Sequence, residues 1–135
     1  MAALLEVRDI ARHYRVRRGD GWWRPPATLK AVDGISFSIE RGKTLGLVGE
    51  SGCGKSTAAR LALGLLPATS GAALFEGATL STRQDAGWRA TRARLQLVFQ
   101  DTLGSLDRRL PVGRQIMEPL EIHRIGDAGE RVVEV

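Results

Sequence analysis

The chain has 135 residues, with 20 basic against 15 acidic side chains and a formal net charge of +5. That length suffices for one domain with a real core. No apolar run approaches the 18 residues of a membrane span, residues 1–5 are too short for a signal peptide, and a single cysteine excludes an internal disulfide and fits a reducing compartment. The positive charge is a weak guide to partners. It comes from 17 Arg against 3 Lys in a chain with 16 Ala, a bias that codon usage in a GC-rich genome produces as readily as selection for nucleic acid or an anionic surface.

Residues 4–16 read as a strand of imperfect alternation, with Leu5 and Val7 sharing a face. A loop follows, marked by Gly19, Gly21, Pro25 and Pro26, and between Arg12 and Arg24 there are five Arg against one Asp. The adjacent Trp22 and Trp23 in that loop either meet a partner or lipid headgroups or fold back onto their own domain. Residues 31–40 form a second expected strand, Ile35, Phe37 and Ile39 alternating with Ser36 and Ser38. Arg41-Gly42-Lys43 turns into Leu45-Gly46-Leu47-Val48, a short apolar run of the kind a buried parallel strand shows.

Gly49-Glu50-Ser51-Gly52-Cys53-Gly54-Lys55-Ser56-Thr57 comes next and fits the phosphate-binding pattern G-x-x-x-x-G-K-[ST]. Gly49, Gly52 and Gly54 let the backbone take left-handed angles and approach a polyphosphate. Successive N–H groups can then form an anion nest at a helix N-terminus. Lys55 supplies charge for the β/γ-phosphates, and the Ser56 hydroxyl is placed to ligate Mg²⁺. Magnitudes rank these parts. A helix terminus offers about 0.3–1 kcal/mol, or about 2 when partly buried. A lysine–phosphate pair at about 4 Å is worth about 4 kcal/mol at an effective dielectric of about 20. Lys55 therefore dominates the electrostatics. Cys53, beside Lys55 at a helix start, occupies a position that favours thiol reactivity, or else it is a small residue filling a tight turn. A chance match is the alternative to the whole pattern, but the apolar run before it and the helical spacing of Ala58, Leu61, Ala62, Leu65 and Leu66 after it supply the required context. Pro67 is the expected stop.

Beyond Pro67, Thr69-Ser70-Gly71 is a turn, residues 72–75 a short strand, and Glu76-Gly77 a second turn. Residues 81–94 are polar and expected to be helical, carrying Trp88 and four Arg. Leu95-Gln96-Leu97-Val98-Phe99 reads as a strand closed by Gln100-Asp101. Residues 102–111 are an irregular basic loop, and 112–120 and 128–135 are expected short helices.

The order of these pieces resembles the ATPases of ATP-binding-cassette (ABC) transporters. The glycine loop resembles their Walker A segment. Val98-Phe99-Gln100-Asp101, followed by Ser105-Leu106 and Glu118-Pro119-Leu120, is similar to the Q-loop region of the oligopeptide/dipeptide importer branch. Ala31-Val32-Asp33-Gly34-Ile35-Ser36-Phe37 and Gly64-Leu65-Leu66-Pro67-Ala68-Thr69-Ser70-Gly71 resemble its connecting segments. The likeness covers about residues 4–120. It implies an α/β P-loop NTPase core with an antiparallel β edge, and a chain cut short before the signature and Walker B segments. Residues 1–135 would be a partial nucleotide-binding domain, with a loop insertion at 17–30 and the start of a helical subdomain at 112–135.

The resemblance further implies that Tyr14 stacks on adenine, against the alternative of a strand tyrosine packed on the core. It implies that Gln100 reaches Mg²⁺ and the attacking water, against the alternative of a polar strand end. The region from Gln100 to Arg109 would meet the cytoplasmic helices of an integral-membrane permease. A second ATPase subunit, an extracytoplasmic solute-binding protein, MgATP as cofactor and a place on the cytoplasmic face of the membrane follow in the same way, with a peptide-like solute as cargo. Thr102 stands where the branch usually has Pro, and Asp107-Arg108 where it usually has Asn-Pro. Both departures lower the expected rigidity of the loop. No Leu-Ser-Gly-Gly-Gln and no Asp-Glu pair occurs in the sequence, and His13 and His123 lie outside the position of the family's switch histidine. The chain alone is thus expected to bind ATP without hydrolysing it. Two other classes remain: a small P-loop kinase, and a nucleic-acid-associated P-loop ATPase whose phosphate track would be the arginines between 12 and 24. A GTPase is disfavoured, because no Asn-Lys-x-Asp occurs.

Overall fold

The alternation in the first forty residues resolves into two long strands, β1 (Ala3–Val16) and β2 (Ala27–Glu40), paired antiparallel with Val7 opposite Phe37 and Ile10 opposite Ile35. The computed structural model describes residues 3–17, 26–83, 86–101 and 104–127. Trp22, Trp23 and the helix expected at 128–135 lie outside them. β2 begins at Ala27, earlier than expected, because residues 27–30 pair with residues 13–16 of β1. Two compact units divide the chain, Met1–Arg83 and Gln84–Val135.

In the first unit, α1 (Lys55–Ala62), β3 (Ser70–Phe75) and the two-residue β4 (Ala78–Thr79) complete the set. The sheet runs β2-β1-β3-β4, every pairing antiparallel. Its buried face carries Val7 and Ile10 of β1, Val32 of β2 and Ala73 of β3, against Ala58, Leu61 and Ala62 of α1. Ile10, Leu61 and Val7 are the largest fully buried side chains, each worth about 1.5–3 kcal/mol of apolar transfer. Pairing of β1 slips register on either side of Ile10. Asp9, at φ 45°, forms that bulge, and its N–H donates to Ser36 Oγ at 2.8 Å.

α1 ends before Pro67. Gly64, at φ 61°, takes the left-handed position, and the N–H of Leu65 reaches back to the Arg60 carbonyl while that of Gly64 bonds Leu61. This pair of bonds closes a helix on glycine, so Leu65 and Leu66 fall outside the helix.

Two expected strands are not formed. Residues 45–48 have no ladder partner and are assigned no strand; Leu45, Leu47 and Val48 are 46%, 49% and 95% exposed. Residues 95–99, in the second unit, are likewise irregular, with Val98 86% exposed. The cause is the same for both. A buried parallel strand draws its stability from neighbours on each side, and among the described residues none pairs with either segment.

The second unit holds α2 (Ala86–Arg92) and α3 (Val112–His123). α3 runs three residues past the expected end, with Pro119 inside it, and closes where the N–H of Ile125 donates to the Leu120 carbonyl. The loop before it is held firmly. Gln115 accepts from the Asp107 N–H at 2.8 Å and donates to the carbonyls of Asp107 and Leu110 at 3.0 and 2.9 Å. Asp101 and Asp107 each cap a backbone N–H, of Gly104 and Arg109.

Candidate functional site: a glycine loop at a helix start

Lys55, the cation picked out by the spacing, opens α1, and the loop that carries it wraps around its ammonium. Lys55 Nζ donates to the carbonyls of Gly49 at 2.7 Å and Glu50 at 2.5 Å, and lies 3.6 Å from Cys53 Sγ. The Cys53 N–H closes the turn on the Glu50 carbonyl at 3.3 Å. Gly54 caps the helix at φ 97°, and a Cβ there would fall 2.3 Å from the Ala31 carbonyl of β2. The third glycine of the pattern is therefore required twice, by its backbone angle and by its contact with the strand. Ser56 is exposed in the first turn of α1, and Thr57 beside it is half-buried. No acidic side chain stands in that turn, which leaves the positive helix end open to an anion. A cavity of about 340 Å³ adjoins the loop, lined among others by Lys30, Val32 and Asp33 of β2 and by Val48, Cys53 and Lys55.

Tyr14 sits in the same unit, on β1 opposite Leu29, half-buried. It does not line that cavity. Its ring lies under the Arg12 guanidinium, 4.5 Å from the centroid. Gln100 belongs to the second unit, exposed at a bend after residues 95–99. The structure thus gathers Gly49 to Thr57 at one place, sets Tyr14 on the same sheet that supports the loop, and leaves Gln100 in a separate body.

Further side-chain contacts went unmarked in the sequence. Asp33 takes Lys30 Nζ at 2.9 Å, and His13 Nε2 lies 2.8 Å from its other oxygen. The bond from Lys30, then that from His13, holds the Asp33 carboxyl below its ordinary range, so this cluster keeps its carboxylate charge as pH falls through that range. Arg12 could have been noticed, since strand period puts residues 12 and 14 on one face. Gln115 carried no local signal at all.

A glycine loop with left-handed Gly52 and Gly54, a lysine at a helix start and an exposed hydroxyl define a P-loop nucleotide-binding protein. The comparisons with known proteins narrow this. The family model described as ABC transporter matches residues 32–133. The chain belongs to that family. It is 47% identical over 121 residues to the oligopeptide transport ATP-binding protein OppF of Escherichia coli, a match that covers 89% of this chain and 36% of that protein. A putative peptide import ATP-binding protein of Brucella ovis is 43% identical over 129 residues, covering 96% of this chain and 38% of the relative. The chain therefore spans little more than a third of the length of these relatives. Among solved structures, the ATP-binding cassette MJ0796 bound to ADP and Pi superposes with a TM-score of 0.76 at 20% identity, over 96% of this chain and 53% of that one. The cbiO1 protein of Clostridium perfringens does so at 0.68 and 22%, over 99% and 47%. The fold is thus an α/β fragment of the ABC ATPase type, its antiparallel edge formed by β2, β1, β3 and β4.

Cys53 offers a direct test of the loop. Its thiol is exposed, it lies 3.6 Å from the Lys55 ammonium, and it sits where a bound polyphosphate would cover it. Maleimide labelling is expected to be fast in the free chain and to slow about tenfold or more when MgATP occupies about nine-tenths of the sites. Equal rates with and without MgATP would show that nothing binds over the loop.

Proposed function

We propose that the chain is the nucleotide-binding part of an importer ATPase, holding MgATP on residues Gly49 to Thr57. The observation that carries this reading is the loop itself: a lysine at a helix start, two left-handed glycines at 52 and 54 and an open positive helix end. Lys55 would neutralise the β/γ-phosphates. Ser56 would ligate Mg²⁺ together with the nucleotide's own oxygens, since no three His, Cys, Asp or Glu side chains converge among the described residues. The ion would supply charge neutralisation across the phosphates. Tyr14 would stack on adenine, and Gln100 would complete the metal and water site in an assembled domain.

The names of the relatives, oligopeptide transport and peptide import, support a peptide-like cargo. The region from Gln100 to Arg109 would dock on a permease. It would do so at the cytoplasmic membrane face, with a second ATPase subunit beside it and a solute-binding protein outside. No helix among the described residues is long and apolar enough to cross a membrane, which fits attachment through such a partner. Of the insertion expected at 17–30, residues 27–30 belong instead to β2, and 112–135 would be the start of the helical subdomain. The competing nucleic-acid reading draws on the arginines between 12 and 24, but Arg12 is committed to Tyr14 and Pro67. Titration of a fluorescent ATP analogue, with single-stranded DNA and RNA as competitors at low and moderate salt, separates the two. Saturable nucleotide binding that nucleic acid does not displace is expected. Salt-sensitive retention of DNA or RNA would favour the other reading.

A further inference from the structure

Arg12 and Tyr14 are two residues apart on β1, and the guanidinium of one covers the ring of the other at 4.5 Å. The same guanidinium donates from Nη1 to the Pro67 carbonyl at 2.9 Å. Pro67 lies in the connection from α1, the helix whose first residue is Lys55, to β3. Arg12 thus ties the aromatic ring to the body that carries the phosphate loop. Its Nε is buried and finds no acceptor among the described residues. A buried N–H without an acceptor is destabilising, so packing alone does not account for a guanidinium at this place. An aliphatic side chain would cover the surface without that cost.

We propose that Arg12 is a positioning residue for nucleobase recognition. Stacked on one face of Tyr14 and tethered to Pro67, it fixes the tilt of the ring and leaves the other face for a purine. The cation also draws the ring's π density toward itself, which makes the far face a better partner for an electron-rich base. This rests on the reading of Tyr14 as the base-stacking residue.

Tyr14 is the only tyrosine in the chain, so ring-labelled tyrosine gives a single set of NMR signals. Titration with MgATP is expected to shift those signals, and titration with magnesium tripolyphosphate, which fills the loop without a base, is not. Arg12→Ala is expected to weaken MgATP binding about three- to tenfold and to leave tripolyphosphate affinity within about twofold. Arg12→Lys, which keeps the charge and loses the planar stack, recovers part of the loss. Should the alanine variant not fold, Arg12→Met keeps the packing and removes the cation. Equal losses for both ligands, or full retention of ATP affinity while ATP still shifts the Tyr14 ring, would overturn the role of Arg12 alone. An unshifted ring in the parent chain, with Tyr14→Ala binding ATP normally, would overturn the reading of Tyr14 and this proposal with it. A chain that binds neither ligand removes the phosphate-loop reading beneath both.

Discussion

Replacing Lys55 with alanine is expected to weaken MgATP binding by about two to three decades. The charge pair with the phosphates is worth about 4 kcal/mol, and about 1.4 kcal/mol is one decade. The structure adds a second consequence. Lys55 Nζ bridges the carbonyls of Gly49 and Glu50, so its removal also unties the two ends of the loop. Lys55→Met, which keeps the stem and loses the ammonium, should behave like the alanine variant if charge dominates. Titrating a fluorescent ATP analogue into each form measures the loss, and circular dichroism checks that α1 survives. Affinity unchanged by either substitution would remove the phosphate-loop assignment.

The second large effect concerns turnover. Activating a water molecule for attack needs a general base, and such help is typically worth about 10²–10⁴-fold in rate. The sequence contains no Asp-Glu pair and no Leu-Ser-Gly-Gly-Gln, the segments that would supply the base and the opposing face of a composite site. Mixing the chain with itself adds neither. Steady-state phosphate release is therefore expected at background even in a sample that retains nucleotide. The exposed Leu45, Leu47 and Val48, apolar and without a strand partner among the described residues, are expected to make that sample prone to association. Hydrolysis well above background that Lys55→Ala abolishes would show that the chain holds a complete site.

Much of the antiparallel edge was legible because its signals are local. Ile35, Phe37 and Ile39 alternate with polar neighbours, and Glu76-Gly77 marks the turn between β3 and β4. The phosphate loop was legible for the same reason, its chemistry being written in nine consecutive residues. Residues 45–48 and 95–99 were read as strands from hydrophobicity alone. That property says a segment is able to lie in a parallel sheet, but a sheet also needs neighbouring strands, and among the described residues none pairs with either segment. The early end of α1 was readable in principle, since Gly64 precedes Pro67, but Leu65 and Leu66 continued the apolar spacing and masked it. The bonds from Gln115 to residues 107 and 110 had no signature to read. They tie Gln115 of α3 to residues eight and five positions before it, a distance at which no periodic pattern links two side chains.

The grip of the loop on its own lysine has a kinetic side. The ammonium of Lys55 is already solvated, by two backbone oxygens in place of water, so a nucleotide does not meet a bare cation. On the proposed reading its phosphates would take the ammonium over from Gly49 and Glu50, trading one set of oxygens for a more negative one. Binding would then be an exchange of partners, in which the bonds to the two carbonyls break as the phosphates arrive. Such a site would give up part of its final affinity, and in return it holds a half-buried cation on the loop until the ligand arrives. Selectivity follows from the same trade. A singly charged anion brings one negative charge to the exchange, whereas a triphosphate brings several and is expected to compete better for the ammonium.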